Sequence, residues 1–226
     1  MSQVRAERNQ RREDILAAAR AVFCEKGYEH AAVAEIAARV GVVEGTLYRY
    51  FDSKRALLIA VLHDWYQSLF SDTAEALAGV RGAQPRLRLL IWRHLRTIRD
   101  APDLCRLMFR EARDDVGEIN AELRLLNRRY TRFLSEVLDE GIAEGVFRPD
   151  LSGPLLRDLV FGGIEHYCWR YLCGQGELDI DTAADEISAL FSHGILAPSA
   201  SSEAQQLSGL VQRLEQLIPQ LPSTSQ

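Results

Sequence analysis

Cysteine, proline and glycine are scarce in this chain of 226 residues, which has four Cys, seven Pro and 15 Gly. The thiols Cys24, Cys105, Cys168 and Cys173 form no C-x-x-C pair. Neither a disulfide framework nor a zinc site is indicated, and no metal or other cofactor is expected. So few backbone breakers favour helices over short strands. Long hydrophobic runs are also missing. The longest, residues 56–62, is far below the roughly 20 residues that cross a bilayer, so no membrane partner is expected. The start MSQVRAERNQRRED is polar, without the apolar centre of a signal peptide, and reads as a cytoplasmic protein. Nor is positive charge in excess: 27 Lys plus Arg against 32 Asp plus Glu leave a net of −5. That argues against a surface coated throughout for nucleic acid.

What is present is an ordinary globular composition, 47% hydrophobic and 26% charged, enough to bury a real core. Residues 12–194 read with a helical period, and none of that stretch shows strand alternation or hairpin turns, so the expected fold is all-α. A first helix is expected over 12–26, with Ile15, Leu16, Ala19, Val22 and Phe23 on one face and Gly27 ending it. Short helices follow over 33–40 and 43–51, and Asp52-Ser53 caps a longer helix opening at Lys54. Beyond them lie longer helices, including 118–144 and 154–172. The Ser-rich tail 197–226 carries an amphipathic stripe from Leu207 to Ile218 that is expected to dock on the body or on a partner subunit. Three parts are thus expected: 1–55, 56–196 and the tail 197–226.

The informative stretch is Ile36-Ala37-Ala38-Arg39-Val40-Gly41-Val42 followed by Val43-Glu44-Gly45-Thr46-Leu47-Tyr48-Arg49-Tyr50-Phe51. Two short helices that cross steeply need a small residue at the contact, a residue tolerant of a left-handed turn, and apolar inward positions. Ala37 and Gly41 meet the first two needs, and Ile36, Val40, Val42 and Leu47 the third. Val43, Glu44, Gly45, Tyr48 and Arg49 are left outside, and this is the pattern of a helix-turn-helix. The competing reading is a tight helical corner with no partner. Against it stands a concentration of phosphate donors, Thr46, Tyr48, Arg49, Tyr50, Lys54 and Arg55. A lysine in the first turn of a helix also opposes the helix dipole, which a nearby phosphate would explain.

At these residues the sequence resembles the TetR family of transcriptional regulators, whose signature is a three-helix unit ending in G-T-x-Y-x-Y-F and a helix-opening lysine. The resemblance covers about 12–62, and Gly145-Val146-Phe147-Arg148-Pro149-Asp150 is a further punctuation mark. It implies an N-terminal helix-turn-helix domain, a larger helical ligand-binding and dimerisation domain, a homodimer, and double-stranded operator DNA and a small-molecule effector as partners. It makes Thr46, Tyr48, Tyr50 and Lys54 phosphate contacts, has Gly45 admit the DNA backbone, and turns Val43, Glu44 and Arg49 toward base edges. Two positions depart from the family. Ala31-Ala32 stands where a Thr usually caps the second helix, and Glu44 where a basic or small polar residue is common. A carboxylate there either accepts from a cytosine amino group or repels phosphate. Residues 1–12 carry a net of +3 and read either as an arm that enters a minor groove through Arg11 and Arg12 or as a disordered solubilising end.

The expected function is therefore a repressor released from its operator by a small molecule. The alternative is a helical binding protein that kept the fold and lost operator binding. An enzyme is not expected, because paired carboxylates, a nucleophile with its base and a metal cluster are all missing from the sequence pattern. Candidate ligand residues are Trp65, Tyr66, Trp92, His94, Met108, Phe109, His166, Tyr167 and Trp169, with core packing as the competing reading for each. Arg93, Arg96, Arg106 and Arg110 are candidates for an anionic ligand such as a fatty acid or acyl-CoA, against surface pairing with nearby acids. Phe161-Gly162-Gly163 interrupts an apolar helix at a cost of roughly 1 kcal/mol per glycine relative to alanine. With Ile187, Leu190, Phe191 and Ile195 on the next helix, it points to a dimer seam, against a within-chain crossing or a ligand close to the backbone.

Overall fold

The computed structural model describes residues 2–113 and 119–196. Ten helices occupy the described residues: α1 Ser2–His30, α2 Val33–Val40, α3 Glu44–Leu47, α4 Lys54–Ala78, α5 Ala83–Asp100, α6 Pro102–Arg113, α7 Ile119–Ala143, α8 Gly153–Tyr167, α9 Trp169–Leu172 and α10 Ile180–Ile195. The fold is all-α, as the periodicity predicts. Among the described residues the sole β-type pairing is an isolated bridge, Phe147 to Leu196. The amphipathic stripe of the tail lies outside the described residues.

Most punctuation falls where the sequence places it. Gly41 ends α2 in a left-handed turn (φ 74°, ψ 32°), a conformation that costs a residue with Cβ. Ser53 caps α4 by accepting the Ala56 amide at 3.0 Å, and Ser152 caps α8 in the same way through Leu155. Gly27 kinks α1 with φ 74° instead of ending it. Three expectations need correction. First, residues 2–11 are neither a free arm nor a disordered end but the opening turns of α1, since Arg, Glu, Gln and Ala favour helix and no breaker interrupts them. Second, the expected helix over 43–51 is one turn, Glu44–Leu47, followed by turns that reach Phe51. Third, the helix expected over 154–172 divides at Cys168 into α8 and α9.

Helix α5 is the centre of the body. Leu87, Leu90, Ile91, Leu95 and Ile98 are all buried on it, and it touches α4, α6, α7 and α10. Polar ties fix α10 to it: Arg88 pairs with Asp185 at 2.5 Å, and Trp92 Nε1 donates to Asp181 at 2.6 Å. The N-terminal unit is not a separate bead. Helix α1 packs on α2, α4 and α6, and α4 runs unbroken across the division expected after Arg55. One continuous hydrophobic cluster therefore joins Ile15 and Phe23 of α1 to Leu62 and Tyr66 of α4 and to the body.

Candidate nucleic-acid interface and ligand cavity

Helices α2 and α3 meet through Ile36, Ala37 and Leu47, all buried, with Phe51 closing the unit below them. The turn between them is held by the Val42 amide on the Ala37 carbonyl at 3.0 Å and the Gly41 amide on the Ala38 carbonyl at 3.1 Å. This arrangement turns Val43, Glu44, Gly45, Tyr48 and Arg49 to solvent, with Val43 75% exposed. No described residue lies within 4 Å of where a Cβ on Gly45 would sit, so the described fold does not require glycine there.

Thr46, Tyr50 and Lys54 are partly buried beside this face. Tyr48 Oη donates to the Glu44 carboxylate at 3.4 Å, which draws that charge along the helix surface. Lys54 is engaged inside the protein: Nζ donates to the Glu29 carbonyl at 3.0 Å and lies 4.6 Å from the Tyr28 ring centroid. The carbonyl end of α1 thus accounts for a lysine at the start of α4 without a phosphate. Ala32 caps α2 without a side-chain hydrogen bond, as its identity predicts, and Ala31 is core.

The helical start of α1 folds back onto the same surface. Arg8 lies over the Tyr50 ring at 6.0 Å and Arg12 over the Phe51 ring at 5.5 Å. Arg8, Arg11, Arg49 and Tyr50, with Glu7, line a concavity of about 510 Å³. Residues 40 positions apart thereby form one basic patch adjoining α3. Elsewhere on the unit, cations are neutralised: Arg39 bridges Glu25 at 2.5 Å and Glu35 at 3.2 Å, and Lys26 joins Glu35 at 2.6 Å.

A cavity of about 630 Å³ opens in the body between α4, α5, α6, α7 and α8, within the size range of small-molecule sites. Of the aromatic and polar candidates, Trp65, Tyr66, His94, Met108 and Phe109 line it. The others are elsewhere. Trp92 is tied to α10 through Asp181, and Arg96 pairs with Asp100 at 3.1 Å and lies over Trp92. Arg110 reaches the kink of α1 at Gly27, Arg106 holds Asp103 and the Leu172 carbonyl, and His166, Tyr167 and Trp169 are exposed. Arg93 faces a smaller surface groove with Asp72 and Glu75.

The cavity is not without guanidinium groups. Arg124 and Arg128 of α7 and Arg157 of α8 line it, with Arg157 also paired to Asp158. Sequence reading missed them because α7 carries four arginines over 124–132, a run that ordinarily marks a solvated face; the only available signal was that density. Two residues of the expected dimer seam also belong here. The Phe161 ring stands edge-on to His94 at 4.9 Å and 5.8 Å from Tyr130, and Gly162 lines the cavity beside it. Ile195 is buried within its own chain, next to the Phe147–Leu196 bridge. Gly163 has open space above it, Ile187 and Phe191 are half-buried, and Leu190 is 74% exposed. Leu155 and Leu159, which sequence reading passed over, are exposed at a spacing of four that continues to Gly163 and Tyr167.

Burial sets the protonation of the cavity wall. It lowers the His94 pKa to about 4, so the ring is neutral near pH 7, and it pushes the Cys105 thiol up to about 12. Cys168 is likewise held at about 12, and neither thiol ionises under ordinary conditions. Among the described residues no group of three or more His, Cys, Asp or Glu is placed to hold a metal ion, and no helix is long and apolar enough to cross a membrane.

Residues 15–61 match the family of bacterial regulatory proteins, tetR family, and residues 81–195 match the tetracyclin repressor-like C-terminal domain. The chain is 26% identical to the fatty acid metabolism regulator protein of Bacillus subtilis over 181 residues, 80% of this chain and 93% of that one. It is also 26% identical over 196 residues to the HTH-type transcriptional repressor KstR2 of Rhodococcus jostii, covering 83% and 92%. Among solved structures, the transcriptional regulator FadR from Bacillus subtilis in complex with stearoyl-CoA superposes with a TM-score of 0.74 at 26% identity. The match spans 81% of this chain and 98% of that one.

Proposed function

The chain belongs to the TetR family of bacterial regulatory proteins, and from that premise we propose that it represses transcription as a homodimer whose operator affinity falls when a lipophilic anion enters the cavity of the body. The observation that carries this reading is the composition of that cavity. Its floor is mainly aromatic, with His94, Thr97 and Thr131 among the rings, while Arg124, Arg128 and Arg157 stand at its more exposed side and outnumber the carboxylates Asp158 and Glu165. A hydrocarbon chain gains by leaving water for such a floor, and an anionic head is met by guanidinium groups at the rim. An acyl-CoA has both parts. The stearoyl-CoA held by the Bacillus subtilis regulator supports that ligand class.

In this reading Val43, Glu44 and Arg49 face base edges while Thr46, Tyr48, Tyr50, Arg8, Arg11 and Arg12 meet phosphates. Two copies join through the apolar stripe Leu155, Leu159, Gly163 and Tyr167 of α8 together with Leu190 of α10. Dimerisation brings two reading heads to half-sites about 34 Å apart. The cavity is walled by α4 and α6, the two body helices against which α1 packs. A ligand that fits one arrangement of these helices better than another shifts the spacing of the heads.

The test is a mobility shift of DNA flanking the protein's own gene, run across a salt series with and without stearoyl-CoA. The reading requires a shifted band that weakens as salt rises and is released by stearoyl-CoA. An unshifted fragment at low salt removes the operator role. A shift indifferent to the CoA ester removes the ligand class.

A further inference from the structure

The floor of the cavity holds more hydrogen-bonding capacity than the protein uses. Most polar groups there are committed: the Thr97 hydroxyl donates to the Arg93 carbonyl at 2.9 Å, the Thr131 hydroxyl to the Arg128 carbonyl at 3.3 Å, and the Cys105 thiol to the Thr97 carbonyl at 3.8 Å. Three rings differ. His94, 9% exposed, has Nδ1 3.3 Å from Tyr130 Oη, and no described residue partners its Nε2. The hydroxyl of Tyr66, 2% exposed, has no hydrogen-bond partner among the described residues. The rings sit together, with His94 and Tyr130 centroids 5.7 Å apart and those of Tyr66 and Tyr130 6.4 Å apart.

The arithmetic of protons does not depend on which His94 tautomer is present. A neutral imidazole and a phenol share two protons, and their mutual hydrogen bond uses one. If Tyr130 donates to Nδ1, the Nε2–H is left over as a donor. If Nδ1–H donates to Tyr130, the phenol proton goes to the Thr97 hydroxyl oxygen and Nε2 remains an acceptor. A group that both donates and accepts satisfies either case, and the Tyr66 ring, 6.4 Å from that of Tyr130, lines the same cavity with a hydroxyl for its second bond. Buried polar groups in native proteins are rarely left unpaired, so a ligand or ordered water completes the set.

We infer that the cavity floor recognises a hydroxyl group on the lipophilic part of the ligand, through His94, Tyr130 and Tyr66. The cavity thus prefers a hydroxylated acyl chain to a plain one of the same length. This rests on the proposal that the cavity takes acyl-CoA esters. The surrounding wall is formed by Phe161, Trp65 and Met108, and such an apolar surround sharpens the difference between a matched and an unmatched oxygen.

The experiment is calorimetric titration of the full chain with stearoyl-CoA and with its 3-, 10- and 12-hydroxy analogues. At least one hydroxylated ester is expected to bind on the order of tenfold tighter than stearoyl-CoA, the size of effect one buried hydrogen bond supplies. Tyr66→Phe and His94→Phe should each bring that ratio toward one. Equal affinity for all four esters overturns the inference and leaves the acyl-CoA reading standing, with a water occupying the floor. A preference that survives both variants also overturns it. Failure of every CoA ester to bind removes the acyl-CoA reading and this inference together. If His94→Phe does not fold, Tyr66→Phe, which removes one oxygen, decides alone.

Discussion

The reading head and the sensing body of this protein are built on opposite principles. In the head, the residues that matter are neighbours in sequence: Ala37, Gly41 and Leu47 set the crossing of α2 and α3, and Val43 to Arg49 form the outward face. Residues 1–55 hold 10 basic and 8 acidic side chains, a net of +2. In the body, one cavity draws side chains from Trp65 to Glu165 on five helices. Residues 56–226 hold 17 basic and 24 acidic side chains, a net of −7. The difference teaches where DNA can touch. Charge repulsion from the acidic body leaves the mildly basic head as the surface for that contact.

The largest way to break the comparison is to damage the body and watch the head. Phe147 is buried to 1% against Gly141, and Phe147→Ala should cost about 3–5 kcal/mol and lower the melting temperature by roughly 10 °C. Because α1 packs on α4 and α6, a single transition is expected by circular dichroism; two transitions would show that the head folds on its own.

Acid provides the next contrast. His94 has a folded pKa of about 4 against 6.5, so the unfolded chain takes up the proton first. Stability is whole above pH 6.5 and falls through pH 4, by roughly 3 kcal/mol in full. Urea unfolding at pH 7 and pH 5 should show about 2 kcal/mol of that loss, and His94→Phe should flatten it.

Gly141→Ala is expected to be milder, about 1–3 kcal/mol of overpacking, because the Phe147 ring and the Ala83 methyl fill the space its Cβ would need. In the head, Lys54→Met should cost about 1 kcal/mol through loss of the Glu29 carbonyl contact. Arg11→Ala should leave the melting temperature unchanged and reduce the salt slope of operator binding by roughly one per head. A salt slope that stays the same in Arg11→Ala while falling in Lys54→Met would exchange their roles.

The smallest effect belongs to the head's ion pairs. Hydrogen bonds from Arg39 hold the Glu25 carboxyl below its ordinary 4.5, and those from Lys26 do the same for Glu35. Their contribution is complete above pH 4.5 and is lost as pH falls through the lowered values. Glu25→Gln should therefore leave the melting temperature at pH 7 nearly unmoved.

The head was legible because a turn of this kind depends on residues a few positions apart. Its two surprises came from distance: Arg8 and Arg12 lie over Tyr50 and Phe51, and Lys54 serves the carbonyl end of α1. The cavity was legible only as a set of aromatic residues. Trp65, Tyr66, His94, Met108 and Phe109 meet there, whereas Trp92 binds α10 and Tyr167 faces out.

The all-helical class, the helix-turn-helix and the two-part charge distribution follow from the sequence alone, because periodicity, a left-handed glycine and local spacing are properties of short segments. The tertiary structure alone decided that Arg124, Arg128 and Arg157 join the cavity, that Phe161 turns inward and that Leu155 and Leu159 stay bare. The physical reason is that a helix face declares itself apolar in the same residues whether it meets a core, a ligand or another subunit. What it meets is determined by helices far away in the chain.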